Sequence, residues 1–334
     1  MFDTIYVESE IEEHPRARRI LARFASAERV ACDRYGEIFN RQAQSYRLQK
    51  RRPSLILARK AERGVLQLPA GYGMGGERDF YFSHLLNCLY HCRYCYLRGT
   101  HRSAHLLLFV NYEHFAGEIE RLTREAPGRQ SHFFSGFGGD SLALDRVTGF
   151  SDFFLPVFSE LEDAWLELRT KSVSIGRLLR RKPVPRVVVA FSLAPAGLSR
   201  RLEGGAPSLD RRLAAMGRLG EAGWKLGLRF DPLIFYSGYG EAYRELFNQV
   251  FSVIDPAWVH SATVGTLRFP AEVFGRMVKH YPDERLLCGP LTREGGLVCY
   301  REEIRKQMFD LCWEALRPRL PEEKIVSCHR EPLG

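Results

Sequence analysis

Three thiols follow one another in the spacing C-x3-C-x2-C, at Cys88, Cys92 and Cys95, with Tyr94 and Tyr96 flanking the last. A short loop of this kind brings three thiolates to one face of an iron–sulfur cube. It holds three irons of a [4Fe–4S] cluster and leaves the fourth open. A zinc site would need a fourth ligand close by, and His84 and His91 are near enough in sequence to keep that reading alive. The two tyrosines would shield such a centre from water. Tyr96 has a second reading as a residue between cofactor and substrate.

Further polar residues stand where apolar runs stop. Gly138-Gly139-Asp140 follows His132–Phe137, Thr170-Lys171-Ser172 follows Trp165–Arg169, and Ser192 closes Arg186–Ser192. Asp231 and the stretch Thr263–Arg268 come after two more such runs. In parallel α/β sheets, ligands bind at the carboxyl ends of strands, so these positions are expected to converge at one mouth. Glycine there lets a ligand approach the backbone, and Asp140 can accept from an ammonium group. The plainer reading is a tight turn with Asp140 as a cap.

The elements that must position these residues alternate. Asp79–Ser83 reads as a strand feeding the cysteine loop. Ala104–Val110 is apolar and precedes a helix with Phe115, Ile119 and Leu122 on one face. Helices are predicted over Phe153–Leu161, Ser174–Arg181, Ser208–Ala222 (stopped by Gly223) and Tyr239–Phe251, and strands over Arg186–Ser192, Leu226–Asp231 and Trp258–Val264. Strand-then-helix repeated about six times implies parallel strands with right-handed crossovers, closed as a partial (β/α)6 barrel of an α/β fold. We divide the chain into a basic α/β region over 1–78, the barrel over 79–270 and a C-terminal extension over 271–334. The extension carries a helix near Glu302–Leu316 and a strand at Lys324–Ser327. Gly71–Gly76 reads as a linker: it lacks the lysine and hydroxyl of a phosphate loop. Arg16–Phe24 has helical spacing and Ser54–Ala58 reads as a short strand.

With 45% hydrophobic and 27% charged residues the composition is globular, and no run of about 18 apolar residues suggests a membrane span. The start, Met1–Tyr6, lacks the basic-then-apolar order of a signal peptide, so a cytoplasmic protein is expected. Eight cysteines do not make a disulfide scaffold here. Cys32, Cys288, Cys299, Cys312 and Cys328 are scattered and read as small buried hydrophobes, or as a radical-quenching thiol. The formal charge of +9 is concentrated at Arg16–Arg19, Arg47–Arg52, Arg59–Arg63 and Arg177–Lys182. Such clusters suit nucleic-acid phosphates, and equally an ordinary solvated face; Arg47–Arg52, ending at Pro53, reads as a phosphate-contacting segment.

The cysteine spacing resembles that of the radical S-adenosylmethionine (SAM) enzymes, whose open iron chelates the methionine end of SAM. On that resemblance, Gly138, Gly139 and Asp140 would meet the amino group, Lys171 the carboxylate, and Ser192 the ribose or carboxylate. The run His91–Leu97 is similar, more narrowly, to the cluster motif of the spore photoproduct lyase family. Thr170-Lys171, Phe191–Leu193, Glu203–Arg212, Ala222–Gly227, Asp231–Ile234, Gly240–Tyr243 and Tyr300 follow that family's order over about residues 80–330. The family implies a carbon–carbon bond lyase. Its [4Fe–4S] cluster on Cys88, Cys92 and Cys95 cleaves SAM to a 5′-deoxyadenosyl radical that acts on a thymine lesion of DNA. It also implies a SAM site lined by Gly139, Lys171, Ser192 and Tyr94, Tyr96 near the substrate, and an external electron donor of flavodoxin or ferredoxin type.

One position departs. The family's hydrogen-donating cysteine aligns with Phe137, and no cysteine lies between Cys95 and Cys288. Two other readings therefore stand beside DNA repair: a radical SAM enzyme acting on RNA, a nucleotide or a peptide, and a non-catalytic iron–sulfur or zinc protein that binds nucleic acid.

Overall fold

The structure is a computed structural model that describes residues 2–69, 72–73 and 78–328. Most of the Gly71–Gly76 linker reading falls outside the described residues.

Seven strands form the main sheet: β1 (Asp79–Phe82), β2 (Ser131–Phe134), β3 (Ala164–Thr170), β4 (Val187–Ser192), β5 (Lys225–Leu233), β6 (Val259–Thr266) and β7 (Ile325–Ser327). They lie in chain order, each parallel to the next, and Val65–Gln67 adds an antiparallel edge to β1. The curled sheet is the expected partial barrel, with β7 extending it. β4 shows why the strands are parallel: all six residues of Val-Val-Val-Ala-Phe-Ser are buried, as a strand covered on both faces requires. The crossover helix Leu209–Glu221 starts at Ser208, whose hydroxyl accepts from the Arg211 amide. It ends at Gly223, φ +88°, where the Trp224 amide returns to the Leu219 carbonyl at 2.9 Å and the Gly223 amide to Gly220 at 2.8 Å. Only glycine takes that left-handed turn without steric cost. Phe150, Phe154 and Phe158 of helix Phe150–Ser159 are buried, and the first two stack near Phe82 of β1.

A second sheet runs Glu28–Cys32, Thr4–Glu8, Leu55–Ala58, Leu106–Phe109, Leu85–Leu86, parallel except for the last. The apolar run Ala104–Val110, expected within the barrel alternation, thus pairs with the N-terminal strands instead. This has a consequence for the site. The chain leaves β1, joins the second sheet at Leu85–Leu86, makes the cysteine loop and the helix Leu97–Thr100, and returns to the second sheet at Leu106. The loop is therefore anchored at both ends by one sheet and placed over the mouth of the other.

Two further differences follow from local chemistry. The basic stretch Ser174–Arg181 makes only a 3-10 turn at Leu178–Arg180. Ser172 accepts from the Ser174 amide in a local turn, and Pro183 and Pro185 stop any helix beyond. Arg268–Pro270 pairs with the hairpin Leu291–Glu294/Leu297–Tyr300, which turns on Gly295 and Gly296, both at positive φ. The C-terminal helix spans Glu302–Leu316, as its spacing predicts.

Candidate active site

The cysteine loop and the carboxyl ends of β2 to β6 enclose a single cavity of about 1120 Å³, including the solvent space at its mouth. Cys88, Cys92 and Cys95 line it, with Tyr94 and Tyr96. Gly139, Asp140, Lys171 and Ser192 line it from the strand ends. Gly138 does not. A Cβ there would lie 2.6 Å from the Ser83 hydroxyl, and one on Gly139 2.8 Å from the Asn87 carbonyl. The two glycines thus let the end of β2 close on the backbone that leads into the cysteines.

Burial pushes the Cys88 thiol up, helped by the Asp140 carboxylate, and pushes Cys92 up to about 12. The free protein holds both protonated, so taking up iron releases protons. Cys92 is fixed by its backbone: His91–Cys92 pairs antiparallel with Glu203–Gly204. Asp140 is held by four donors. The Leu142 amide (3.0 Å), the Ala143 amide (2.8 Å) and the Thr170 hydroxyl (2.7 Å) meet one oxygen, and the Lys171 amide (2.7 Å) meets the other. It ties the ends of β2 and β3 together at the cavity wall.

Behind the cysteines lies a polar hub that sequence reasoning missed. Glu203 accepts from the Tyr94 phenol, from Arg212 and from the Ser199 hydroxyl (2.7 Å), with the Lys171 ammonium 3.8 Å away. Arg212 is fully buried and also donates to the Ser192 carbonyl at 3.0 Å. Burial raises the Glu203 carboxyl, but Lys171 and Arg212 together hold it below its ordinary value. One carboxylate therefore positions Tyr94, Lys171 and, through Arg212, Ser192.

The opposite wall is built by two stacked ion pairs between β3 and β5. Glu167 meets Arg229 at 2.7 Å on the barrel floor. Two residues higher, Asp231 meets Arg169 at 3.4 Å and Arg268 at 3.0 Å. A signal for these was available: Glu167, Arg169 and Lys171 alternate on a strand that is otherwise apolar, and period two puts all three on the inward face. Arg268 lies 4.7 Å from the centre of the Tyr72 ring. Phe137 also lines the cavity, with Tyr81 4.3 Å and Tyr96 5.7 Å away between ring centres. The Tyr96 phenol donates to the Phe137 carbonyl.

Among the described residues no three or more of His, Cys, Asp and Glu gather around a point where one metal ion would sit. His84 stacks on Phe150 at 3.9 Å, with burial lowering its pKa to about 3, and neither it nor His91 lines the cavity. A cube needs no such single point, because each thiolate meets a different iron. Among the described residues, three cavity-lining thiols with no histidine beside them and with the Asp140 carboxylate taken up by four donors fit a cluster with an open iron better than zinc.

The class so defined is a half-open parallel barrel with three cysteines over its mouth. Residues 79–294 match the spore photoproduct lyase family, and the chain belongs to it. The spore photoproduct lyase of Bacillus subtilis (strain 168) is 25% identical over 202 residues, which cover 60% of this chain and 59% of that one. That of Geobacillus sp. (strain Y412MC61) is 26% identical over 164 residues, 49% of this chain and 48% of that one. The chain thus spans rather more or less than half the length of these relatives. Among solved structures, a doubly substituted spore photoproduct lyase with bound AdoMet and dinucleoside spore photoproduct superposes with a TM-score of 0.85. It is 19% identical, with 98% of both chains covered. A spore photoproduct lyase complexed with dinucleoside spore photoproduct gives 0.82 at 20% identity, again over 98% of both.

Proposed function

We propose that this protein is a radical SAM enzyme of the spore photoproduct lyase type that repairs a thymine photoproduct, or a closely related lesion, in DNA. The observation that carries the reading is the convergence of Cys88, Cys92 and Cys95 with the polar ends of β2, β3 and β4 on one cavity. When cluster and SAM are bound, reductive cleavage of SAM supplies a 5′-deoxyadenosyl radical. The protein's own part is to bind, orient and shield. Cys88, Cys92 and Cys95 hold three irons. Lys171 would offer its ammonium to the SAM carboxylate and Ser192 its hydroxyl, and Gly139 and Asp140 would meet the amino group, with Gly138 behind them closing on the Ser83 side chain. Tyr94 closes the wall behind the cofactor, and Tyr96 stands between cofactor and substrate, its phenol held by the Phe137 carbonyl.

The three-part division at residues 78 and 270 belongs to this reading, the barrel carrying the chemistry. So do a cytoplasmic setting and an external electron donor of flavodoxin or ferredoxin type. All eight cysteines are free, as expected of a reducing compartment, and among the described residues no helix is long and apolar enough to cross a membrane.

Phe137 favours a second reading, in which the same radical acts on RNA, a nucleotide or a peptide. Anaerobic reconstitution separates the two. The repair reading expects about four irons per chain, 5′-deoxyadenosine formed from SAM under reduction, and loss of photoproduct from a spore-photoproduct dinucleotide, all abolished in C92A. Cleavage of SAM with the photoproduct untouched supports the second reading. Zinc in place of iron sinks both.

A further inference from the structure

Helix Tyr46–Arg51, from the N-terminal region, lies across the back of the cysteine loop. Its outward residues Arg47, Leu48 and Arg51 are exposed. Its inward residues grip the loop at three places. The Lys50 ammonium donates to the Cys88 carbonyl at 2.5 Å, the Tyr46 phenol to the Leu97 carbonyl at 3.4 Å, and the Gln49 side chain accepts from the Ala104 amide at 2.9 Å. These are the first cysteine, the second residue past the last one, and the return to the second sheet. Ser45 caps the helix, and Asn87, at φ +67°, fixes the entry to Cys88 by donating to the carbonyls of Ser103 and His105.

Lys50 is the unusual member. It is only 9% exposed, and among the described residues no carboxylate pairs with it. A buried lysine without a counter-ion is costly and rare. Burial works against its charge, as Arg98 does, and the groups near it that would favour that charge are Cys88, Cys95 and Cys92 when ionised. Arg98 is occupied elsewhere, with Glu284 and the Arg93 carbonyl. The missing counter-charge is one that the three cysteines would supply as thiolates once a cluster is bound. The run Arg47–Arg52 is accordingly split: its one lysine is withdrawn from any phosphate and aimed at the cysteines.

We infer that Lys50 is a positioning residue of the iron–sulfur centre, holding the Cys88 turn in its ligating shape and setting the reduction potential of the cluster bound there. The inference rests on the cluster reading above. Reduction adds a negative charge to a centre already made anionic by its thiolates, and net charge and hydrogen bonding set such potentials. A fixed cation against Cys88 favours the reduced form, so its removal makes reduction harder.

The test is an anaerobic redox titration followed by electron paramagnetic resonance, on reconstituted wild-type protein and on K50R, K50Q and K50M, with iron content and circular dichroism measured alongside. K50Q keeps a donor without the charge, and K50M keeps the length without either. The expected result is a potential near wild type in K50R and a more negative one in K50Q and K50M, by about tenfold or more in the reduction equilibrium. K50M should also lose iron faster to a chelator. If either neutral variant folds, binds iron and titrates at the wild-type potential, the inference is overturned. Wild-type protein that takes up no iron would overturn the cluster reading itself and the inference with it.

Discussion

Glu203 has one side-chain oxygen facing Tyr94 and Lys171 and the other facing Arg212 and Ser199. Arg212 has no exposure of its own. Removing the carboxylate leaves a buried guanidinium without its counter-charge, a loss of about 3–5 kcal/mol. E203A is expected to lower unfolding stability by that much in urea, with E203Q intermediate because its amide oxygen still accepts. The pH dependence has a definite sign. Burial raises the Glu203 carboxyl, Lys171 and Arg212 outweigh it, and the folded value lies below the ordinary one. The stabilisation is present above the unfolded value of about 4.3 and is lost as pH falls through the lower folded value. Urea midpoints taken from about pH 6 down to pH 3 should fall more steeply for wild type than for E203Q; equal slopes would show that the ion pair is not what acid breaks. The cysteines were legible in the sequence because their chemistry is local, within one loop. Glu203 was not, because it meets Tyr94 across 109 positions and only the pairing of His91–Cys92 with Glu203–Gly204 brings them together.

The end of β2 has no spare room against the strand that enters the cysteine loop. A methyl on Gly139 would meet the Asn87 carbonyl at 2.8 Å, with the Leu85 carbonyl at 3.3 Å, and backbone cannot step aside as a side chain can. G139A is expected to cost about 1–3 kcal/mol, while the larger effect falls on the metal site. With residues 85–87 displaced, Cys88 shifts relative to Cys92 and Cys95. The variant should remain folded by circular dichroism and yet bind well under half the wild-type iron. Wild-type iron content in a folded G139A would mean that the glycine serves a ligand rather than the loop. Element by element, the barrel strands could be read from sequence because a strand buried on both faces is a short uninterrupted apolar run. That same property hid the partner of Leu106–Phe109. A run of four buried residues looks alike in either sheet, and its pairing with Leu55–Ala58 depends on contacts some fifty positions away. Ser174–Arg181 makes only a 3-10 turn, with the Ser172 hydroxyl competing for the Ser174 amide at its start.

At the scale of the whole molecule the two sheets are interdependent, and the surface charge is less free than its sum. Leu106–Phe109 is fully buried between Leu55–Ala58 and Leu85–Leu86. A chain begun at residue 79 would expose that edge and is expected to aggregate on expression, seen as loss of soluble protein. The formal charge of +9 overstates the field that DNA would meet. Arg177 and Arg181 both pair with Asp152, and Arg16 pairs with Glu113. Arg47 and Arg51 are exposed on the outer face of the helix that grips the cysteine loop. If DNA lies along the outer face of this helix, its phosphates meet these two arginines rather than Arg177 and Arg181, which are paired with Asp152. Each phosphate contact contributes about 0.9 to the slope of log affinity against log salt. The double variant R47Q/R51Q should therefore bind duplex DNA more weakly at low salt, with a slope shallower by about 1.8, while R177Q/R181Q stays near wild type. Equal slopes in the two double variants would remove the outer helix from the DNA path. The helix would then serve the site solely through its inner face, where Tyr46, Gln49 and Lys50 hold the cysteine loop.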